Sequence, residues 1–418
     1  MISRLIFHVD VNSAFLSWEA ARRVKNGEPD LRLIPSAIGG DVATRTGVVL
    51  AKSIPAKKYG IQTGEPIAQA LRKCPELYLA QPDFRLYHQN SEAFLAICAK
   101  YAPVVEQFSI DECFLDMSGT GRIYPDPIAL AHRIKDEIRD TLGFTVNIGI
   151  GSNKLLAKMA SDFEKPDKVH TLFSEEIEEK LWPLPVKELF TVGKSTAQRL
   201  NAARIRTVGE LAGTDVQRLR AMFGNKMGDH LFRYANGFDD SPVLAESEEA
   251  KGYSNSTTLA EDIITADEAH RVLLALVDSV ASRMRNDGFF ASCIAVTIRG
   301  NDFRDKSHQK KLSEATDITS EIFDVVKKLF SELWDRRTPL RLLGVALTGL
   351  TRDDSRQLSL FPDEKKEREK ELDKIIDSIR HRFGTGTIVR GSTMRYSTHV
   401  GKKQKAQQDA ALAEDDKN

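Results

Sequence analysis

The chain has 418 residues, 41% of them hydrophobic and 29% charged, which is too long for one small core and too apolar for a largely disordered polypeptide. Lysine plus arginine and aspartate plus glutamate number 60 each, so the net charge is zero at neutral pH. A uniformly basic polyanion binder is excluded, whereas a local basic face within a neutral whole is not.

Residues 4–9, Arg4-Leu5-Ile6-Phe7-His8-Val9, predict a short buried strand that ends on Asp10, and the segment from Ala14 to Ala21 has helical composition. Ile38-Gly39-Gly40-Asp41 marks a turn, Gly47 to Ala51 a strand, and Pro55 to Gly60 a helical turn stopped by glycine. From 87 to 102, Phe94, Leu95, Ile97, Cys98 and Tyr101 recur at helical spacing. Two strands follow, Val104 to Ile110 and Cys113 to Met117, pivoting at Asp111-Glu112. A helix over 127–141, a strand over 144–150 and a helix over 154–163 complete a β-α-β-β-α-β order, the split βαβ plan.

Residues 174–236 predict an all-helical unit broken at Pro183, Pro185, Gly193, Gly209 and Gly224. The polar, acidic stretch from Gly237 to Lys251 reads as a tether. Beyond it, helices over 266–286 and 317–334 and strands over 291–299 and 341–350 predict a second α+β domain. After 351 the composition turns charged, with one apolar island, Gln357-Leu358-Ser359-Leu360-Phe361, then a charged helical run and a polar end.

Cys74, Cys98, Cys113 and Cys293 make no C-x-x-C pair and no zinc-spaced cluster. No stretch approaches 18 apolar residues and the opening shows no charged leader, so the expected location is cytoplasmic with no membrane partner.

The acids carry the chemistry. Asp111-Glu112 sits between Phe108, Ile110, Cys113, Phe114 and Leu115, at the end of a buried hairpin rather than in a polar loop. In a split βαβ sheet the first strand lies beside that hairpin, which brings Asp10 to the same edge. Like charges about 4 Å apart repel by roughly 4 kcal/mol at an effective dielectric near 20, so such a cluster calls for bound cations. Oxygen donors without His or Cys favour Mg²⁺ or Mn²⁺, and two such ions serve in-line phosphoryl transfer.

Three segments, 7–15, 109–116 and 149–160, resemble the Y-family translesion DNA polymerases, closest to the bacterial DNA polymerase IV (DinB) type. The resemblance runs in order over residues 1–350. It implies an α+β multidomain right-hand polymerase that extends a primer 3′ end with low fidelity and bypasses damaged template bases. Its parts would be a ferredoxin-like split-βαβ palm (1–16 and 84–172), small fingers (17–83), an all-α thumb with a helix-hairpin-helix (173–240), a linker (241–251), an α+β little finger (252–350) and a C-terminal tail (351–418).

By position, the resemblance implies that Asp10, Asp111 and Glu112, with the Val11 backbone carbonyl, hold two Mg²⁺ ions, Mn²⁺ being a possible substitute. Phe15 falls at the steric gate under the deoxyribose, and Lys57 and Lys165 at the triphosphate contacts of the dNTP. Ile54 and Lys57 depart from the tyrosine and arginine common there, replacing a hydrogen-bond donor by an alkyl group and a bidentate fork by a point charge. Val192, Gly193 and Lys194 match the helix-hairpin-helix that takes a DNA phosphate, although Thr191 stands where the first glycine is usual. Arg283, Arg285, Arg299 and Arg304 belong to a locally basic stretch expected against primer-template DNA. Gln357, Leu360 and Phe361 match a sliding-clamp-binding peptide, and the expected state is a monomer. A nucleotidyl cyclase and a DNA-binding subunit without chemistry are the alternatives; the first would not need the thumb-like and clamp-like segments, and the three acids argue against the second.

Overall fold

The structure is a computed structural model that describes residues 4–40, 47–245, 249–352, 364–384 and 386–394. Strand β1 (Ile6–Val11) is buried throughout because it is the middle strand of its sheet, with neighbours on both edges. Helix α1 (Ala14–Lys25) follows directly. Next come β2 (Ser36–Gly39), β3 (Val49–Lys52), α2 (Ile54–Lys58), α3 (Ile67–Lys73) and β4 (Tyr78–Ala80). They form a small unit with sheet order β3-β2-β4 and its own core of Ala37, Val49, Ile61 and Ile67.

The chain then returns to the first sheet through α4 (Phe84–Ala99), β5 (Val104–Gln107), β6 (Glu112–Asp116), α5 (Pro127–Leu142), β7 (Val146–Gly151), α6 (Lys154–Ser161) and β8 (Val169–Leu172). The order is β5-β6-β1-β7-β8, antiparallel except for the parallel pair β7 and β8. Helix α5 begins on the Asp126 carboxylate, which accepts from Ile128 N and Ala129 N, and ends on Gly143 at a φ of 80°, so both ends have local stop signals.

Alternation along β1 divides its side chains between two layers. Phe7, Val9 and Val11 enter the core built with Trp18, Tyr87, Phe94 and Phe144, while Ile6, His8 and Asp10 face α6. Helix α6 lies unusually close to the sheet because Gly149 and Gly151 are bare beneath it. A Cβ on Gly149 would stand 2.0 Å from the Ala157 carbonyl oxygen and 2.3 Å from Ser161 N. That contact fixes the height of every α6 side chain above Asp10.

Helices α7 (Lys194–Ala202), α8 (Val208–Ala212), α9 (Val216–Phe223) and α10 (Asn225–Ala235) share a core that includes Leu155 and Leu156 of α6. The stretch beginning at Gly237, expected to be a tether, is instead fastened over its first part to the first sheet. Asn153 Nδ2 donates to Gly237 O (2.8 Å), Leu155 N to an Asp239 carboxylate oxygen (3.1 Å) and Leu244 N to Glu106 Oε2 (2.8 Å). Val243 is buried against Ile6 and Phe114. Its polar composition concealed that docking, since one valine does the apolar work.

The second α+β unit comprises β9 (Gly252–Ile263), α11 (Ala266–Asn286), β10 (Phe290–Gly300), β11 (Asp305–Thr316), α12 (Thr319–Leu333) and β12 (Leu340–Thr351). Its antiparallel sheet runs β11-β10-β12-β9, with α11 and α12 against one face. The charged run after it is α13 (Glu364–Phe383), which is docked rather than trailing. Asp373 Oδ2 accepts from Thr319 N (2.8 Å), Asp377 from Arg285 Nε (2.6 Å) and Ser282 Oγ (2.7 Å), and Arg380 pairs with Asp278 at 2.6 Å. A helix held by charge looks, in sequence, like one held by water. Among the described residues no helix is long and apolar enough to cross a membrane.

Candidate active site

Asp10 and Glu112 are cross-strand partners in the antiparallel β1–β6 pair, so their carboxylates meet on one face. Asp111 is brought in by its backbone, whose carbonyl accepts from Val11 N at 3.0 Å. Its carboxylate turns to Ser109, whose Oγ donates to Asp111 Oδ1 at 2.6 Å. Asp10 and Glu112 therefore meet across the strands, and Asp111 lies at the same end of the hairpin with its carboxylate held by Ser109.

Two lysines balance this charge. Lys158 Nζ lies 2.9 Å from Glu112 Oε1 and 3.4 Å from Asp10 Oδ2, and Lys165 Nζ 2.8 Å from Asp10 Oδ1. Burial pushes the Asp10 carboxyl up to about 6, against the pull of Lys165 and Lys158. Burial acts upward on Glu112 too, but His8 and Lys158 hold it well below the usual carboxylate range. Both lysines, although penalised by burial, are held above the ordinary lysine value, chiefly by Asp10. Behind them His8 is fully enclosed, and that burial lowers its imidazole to about 4, so the ring is neutral near pH 7.

A cleft of about 460 Å³ opens in front of Asp10 and Asp111. Phe15 lines it, stacked on Tyr87 with ring centres 4.5 Å apart and planes 10° from parallel. Lys57 and Lys165 line it as well, so the expected gate and both expected phosphate contacts share one cavity with the acids. Exposed Ile54, at 57%, stands at its rim without a donor. Sequence reasoning missed three members. Lys52 lines the cleft, its ammonium depressed by burial and by neighbouring Lys57; Tyr87 backs Phe15; Lys158 bridges the acids. The signal for Lys158 was available: a lysine inside the apolar run Leu155-Leu156-Ala157-Lys158-Met159-Ala160 needs buried counter-charges.

The expected DNA contacts fall into two groups. Thr191 adopts a φ of 73°, so the hairpin keeps its left-handed turn without the glycine, and its Oγ1 lies 2.8 Å from His230 Nε2. The Val192 N–H is already used, donating to Leu189 O at 2.9 Å. Gly193 caps α7, whose first N–H groups, beginning at Lys194, have no intrahelical acceptor. In the second sheet, Arg299 pairs across the strands with Asp305 and Arg304 is 85% exposed. Arg283 and Arg285 sit instead on α11, in the helical layer. Arg283 Nη2 donates to Ser254 O at 2.8 Å. The Arg285 side chain is only 7% exposed and is enclosed by Asp373 and Asp377 of α13, which corrects its expected place on the DNA face. The carboxylates that claim it lie 88 and 92 residues downstream. Gln357, Leu360 and Phe361 lie outside the described residues.

Among the described residues no three of His, Cys, Asp and Glu close around one point as metal ligands do. The donor chemistry nonetheless fits hard divalent cations: Asp10, Asp111, Glu112 and the Val11 carbonyl offer oxygen alone. The buried carboxylates already take cationic partners in the form of ammonium groups.

The impB/mucB/samB family profile matches residues 9–162, and the profile of that family's C-terminal domain matches 250–360. A DNA polymerase-iota thumb domain profile matches 187–239. The chain is 47% identical over 390 residues to a DNA polymerase IV of Clostridium acetobutylicum, covering 93% of this chain and 98% of that one. It is 36% identical to a DNA polymerase IV of Clostridium kluyveri, with 94% and 99% covered, and 35% identical to DNA polymerase IV 1 of Bacillus subtilis, with 94% of each covered. The fold resembles that of a Y-family DNA polymerase chimera, with a TM-score of 0.72 at 24% identity over 84% of this chain and all of the other. With the acids on a split βαβ sheet and relatives matched along nearly their whole length, the chain belongs to the impB/mucB/samB family, the Y-family DNA polymerases of the DNA polymerase IV type.

Proposed function

We propose that the chain copies a DNA template with low fidelity, adding deoxynucleotides to a primer 3′ end and passing damaged template bases during DNA repair. The observation that carries this reading is the cross-strand pairing of Asp10 with Glu112 at a cleft that Asp10 and Asp111 line together with Phe15, Lys52, Lys57 and Lys165. Asp10, Asp111, Glu112 and the Val11 carbonyl are the groups that hold divalent cations, two Mg²⁺ ions with Mn²⁺ as substitute. Bound there, such ions would supply the charge stabilisation that attack of the primer 3′-oxygen on the α-phosphate and departure of pyrophosphate require.

The remaining residues position the reactants. Lys52, Lys57 and Lys165 present ammonium groups to the triphosphate, and Phe15, held flat by Tyr87, meets the sugar. The sheet carrying the acids is the palm, β2 to β4 with α2 and α3 the fingers, α7 to α10 the thumb, and the second sheet the little finger. The start of α7 at Gly193 and Lys194 takes a backbone phosphate of the primer-template duplex. Exposed Arg304, with Arg299 on the adjoining strand, serves the same purpose on the little finger. Gln357, Leu360 and Phe361 form a peptide for a sliding clamp, which raises local concentration at the primer end without a tighter grip on DNA. The chain works in the cytoplasm as a monomer.

Primer extension with Mg²⁺ on intact and lesion-bearing templates tests the reading; no template-dependent dNTP incorporation by the wild-type protein would defeat it. The same assay examines the gate. Phe15→Ala should raise the preference for ribonucleotides about tenfold, since an added 2′-hydroxyl overpacks the ring at a cost of about 1 to 3 kcal/mol. An unchanged ratio of dNTP to rNTP kcat/KM removes Phe15 from that role.

A further inference from the structure

Lys158 occupies a place that the substrate-binding reading leaves unexplained. Its side chain is 10% exposed, and it is absent from the lining of the cleft that Lys165 shares with Asp10. A buried ammonium there cannot reach a triphosphate. Its partners are all carboxylates: Glu112 at 2.9 Å, Asp10 at 3.4 Å and Asp162 at 3.6 Å.

The surroundings fix it in that place. Helix α6 rests backbone to backbone on Gly149 and Gly151, so the Lys158 backbone stands at a fixed height above the sheet. The other carboxylate oxygen of Glu112, Oε2, faces His8 Nε2 at 3.5 Å. His8 Nδ1 lies 2.8 Å from Ser161 Oγ, and that hydroxyl donates to the Lys158 carbonyl at 2.8 Å. Both oxygens of Glu112 are thus flanked by groups carried on, or tied to, the same turn of α6. Lys165 shares Asp10 and Asp162 as partners but is 36% exposed and lines the cleft, where its ammonium is open to a polyanion.

We propose that Lys158 is a positioning residue that acts as a resident counter-ion, holding Asp10 and Glu112 together in the metal-free protein and competing with a divalent cation for them. The inference rests on the assignment of these acids as metal ligands. Coulomb's law sets its direction. An ammonium within 3.4 Å of both carboxylates satisfies part of the charge that would otherwise attract the ion, so its removal strengthens the site for divalent cations and weakens the fold without them.

The test is titration of the full-length protein with MnCl₂, followed by calorimetry, together with melting in EDTA and in Mn²⁺. Lys158→Met keeps the length of the stem and removes the charge. It should bind Mn²⁺ about tenfold more tightly than wild type, melt earlier in EDTA and gain more from Mn²⁺. Lys158→Arg, which restores a cation, should return the affinity towards the wild-type value. A merely structural lysine would give weaker Mn²⁺ binding in Lys158→Met, and that result, or an unchanged affinity, overturns the proposal. Lys158→Gln answers the same question if the methionine variant does not fold. Asp10→Asn separates the two layers of the argument: if it leaves Mn²⁺ binding intact, the ligand assignment falls and the counter-ion role with it. If it abolishes binding while Lys158→Met fails to tighten it, only the counter-ion role falls.

Discussion

Asp111→Ala should lower single-turnover primer extension by about a thousandfold or more, equivalent to about 4 kcal/mol of transition-state stabilisation, while leaving the melting temperature almost unchanged. The two halves of this expectation come from different features. Asp111 is only partly buried, and the side-chain hydrogen bond that the substitution removes is the local one from Ser109. Its backbone bond to Val11 N survives truncation. The substitution therefore removes an oxygen donor from the cleft without opening a cavity. The same change at Asp10 or Glu112 would strip buried Lys158 of one of its counter-charges and mix chemistry with stability. Activity within tenfold of wild type would show that the chemistry does not pass through this carboxylate.

Gly149→Ala should be the most damaging small substitution in the first sheet, costing about 3 kcal/mol or more in urea denaturation. The added methyl meets backbone at 2.0 and 2.3 Å, with no flexible side chain to yield. Relief requires α6 to lift from β7, carrying Lys158 with it, so primer extension should decline alongside stability. Gly121→Ala is the matched control, since nothing stands within 4 Å of the Cβ it would add, and it should change stability by less than about 0.5 kcal/mol. Equal denaturation midpoints for the two variants would contradict the close packing of α6.

How far the sequence discloses all this depends on where each residue buries its surface. The strand carrying Asp10 was legible because a middle strand must be apolar on both faces, and the hairpin acids stood out against Phe114 and Leu115. Strand β11 was not foreseen, because it is an edge strand exposed along nearly its whole length, and Asp305-Lys-Ser-His-Gln-Lys-Lys shows no alternation. Strand β9 escaped for a related reason, since Ser254, Asn255, Ser256, Thr257 and Thr258 present hydroxyls and an amide where a strand pattern needs alternate apolar residues. The docking of α13 lay beyond composition: its buried Asp373, Asp377 and Arg380 are residues that normally face water, and only their partners reveal the interface. Arg285 was misplaced by the same gap, as a basic residue in a basic stretch whose counter-charges come from a later helix. Within the site, motif position led to Asp10, Asp111, Glu112 and Phe15, whereas the apolar run around Lys158 signalled only a need for counter-charges, and which acids supply them depended on which face of β1 meets α6.

The most direct test of the acid cluster is anomalous scattering from Mn²⁺ in crystals of the protein with primer-template DNA and a dNTP. The account predicts two peaks about 3.5 to 4 Å apart, within bonding distance of Asp10, Asp111 and Glu112 and of the nucleotide phosphates. Peaks bound elsewhere, or a loaded nucleotide with Asp111 still turned to Ser109 and no ion beside it, would contradict it.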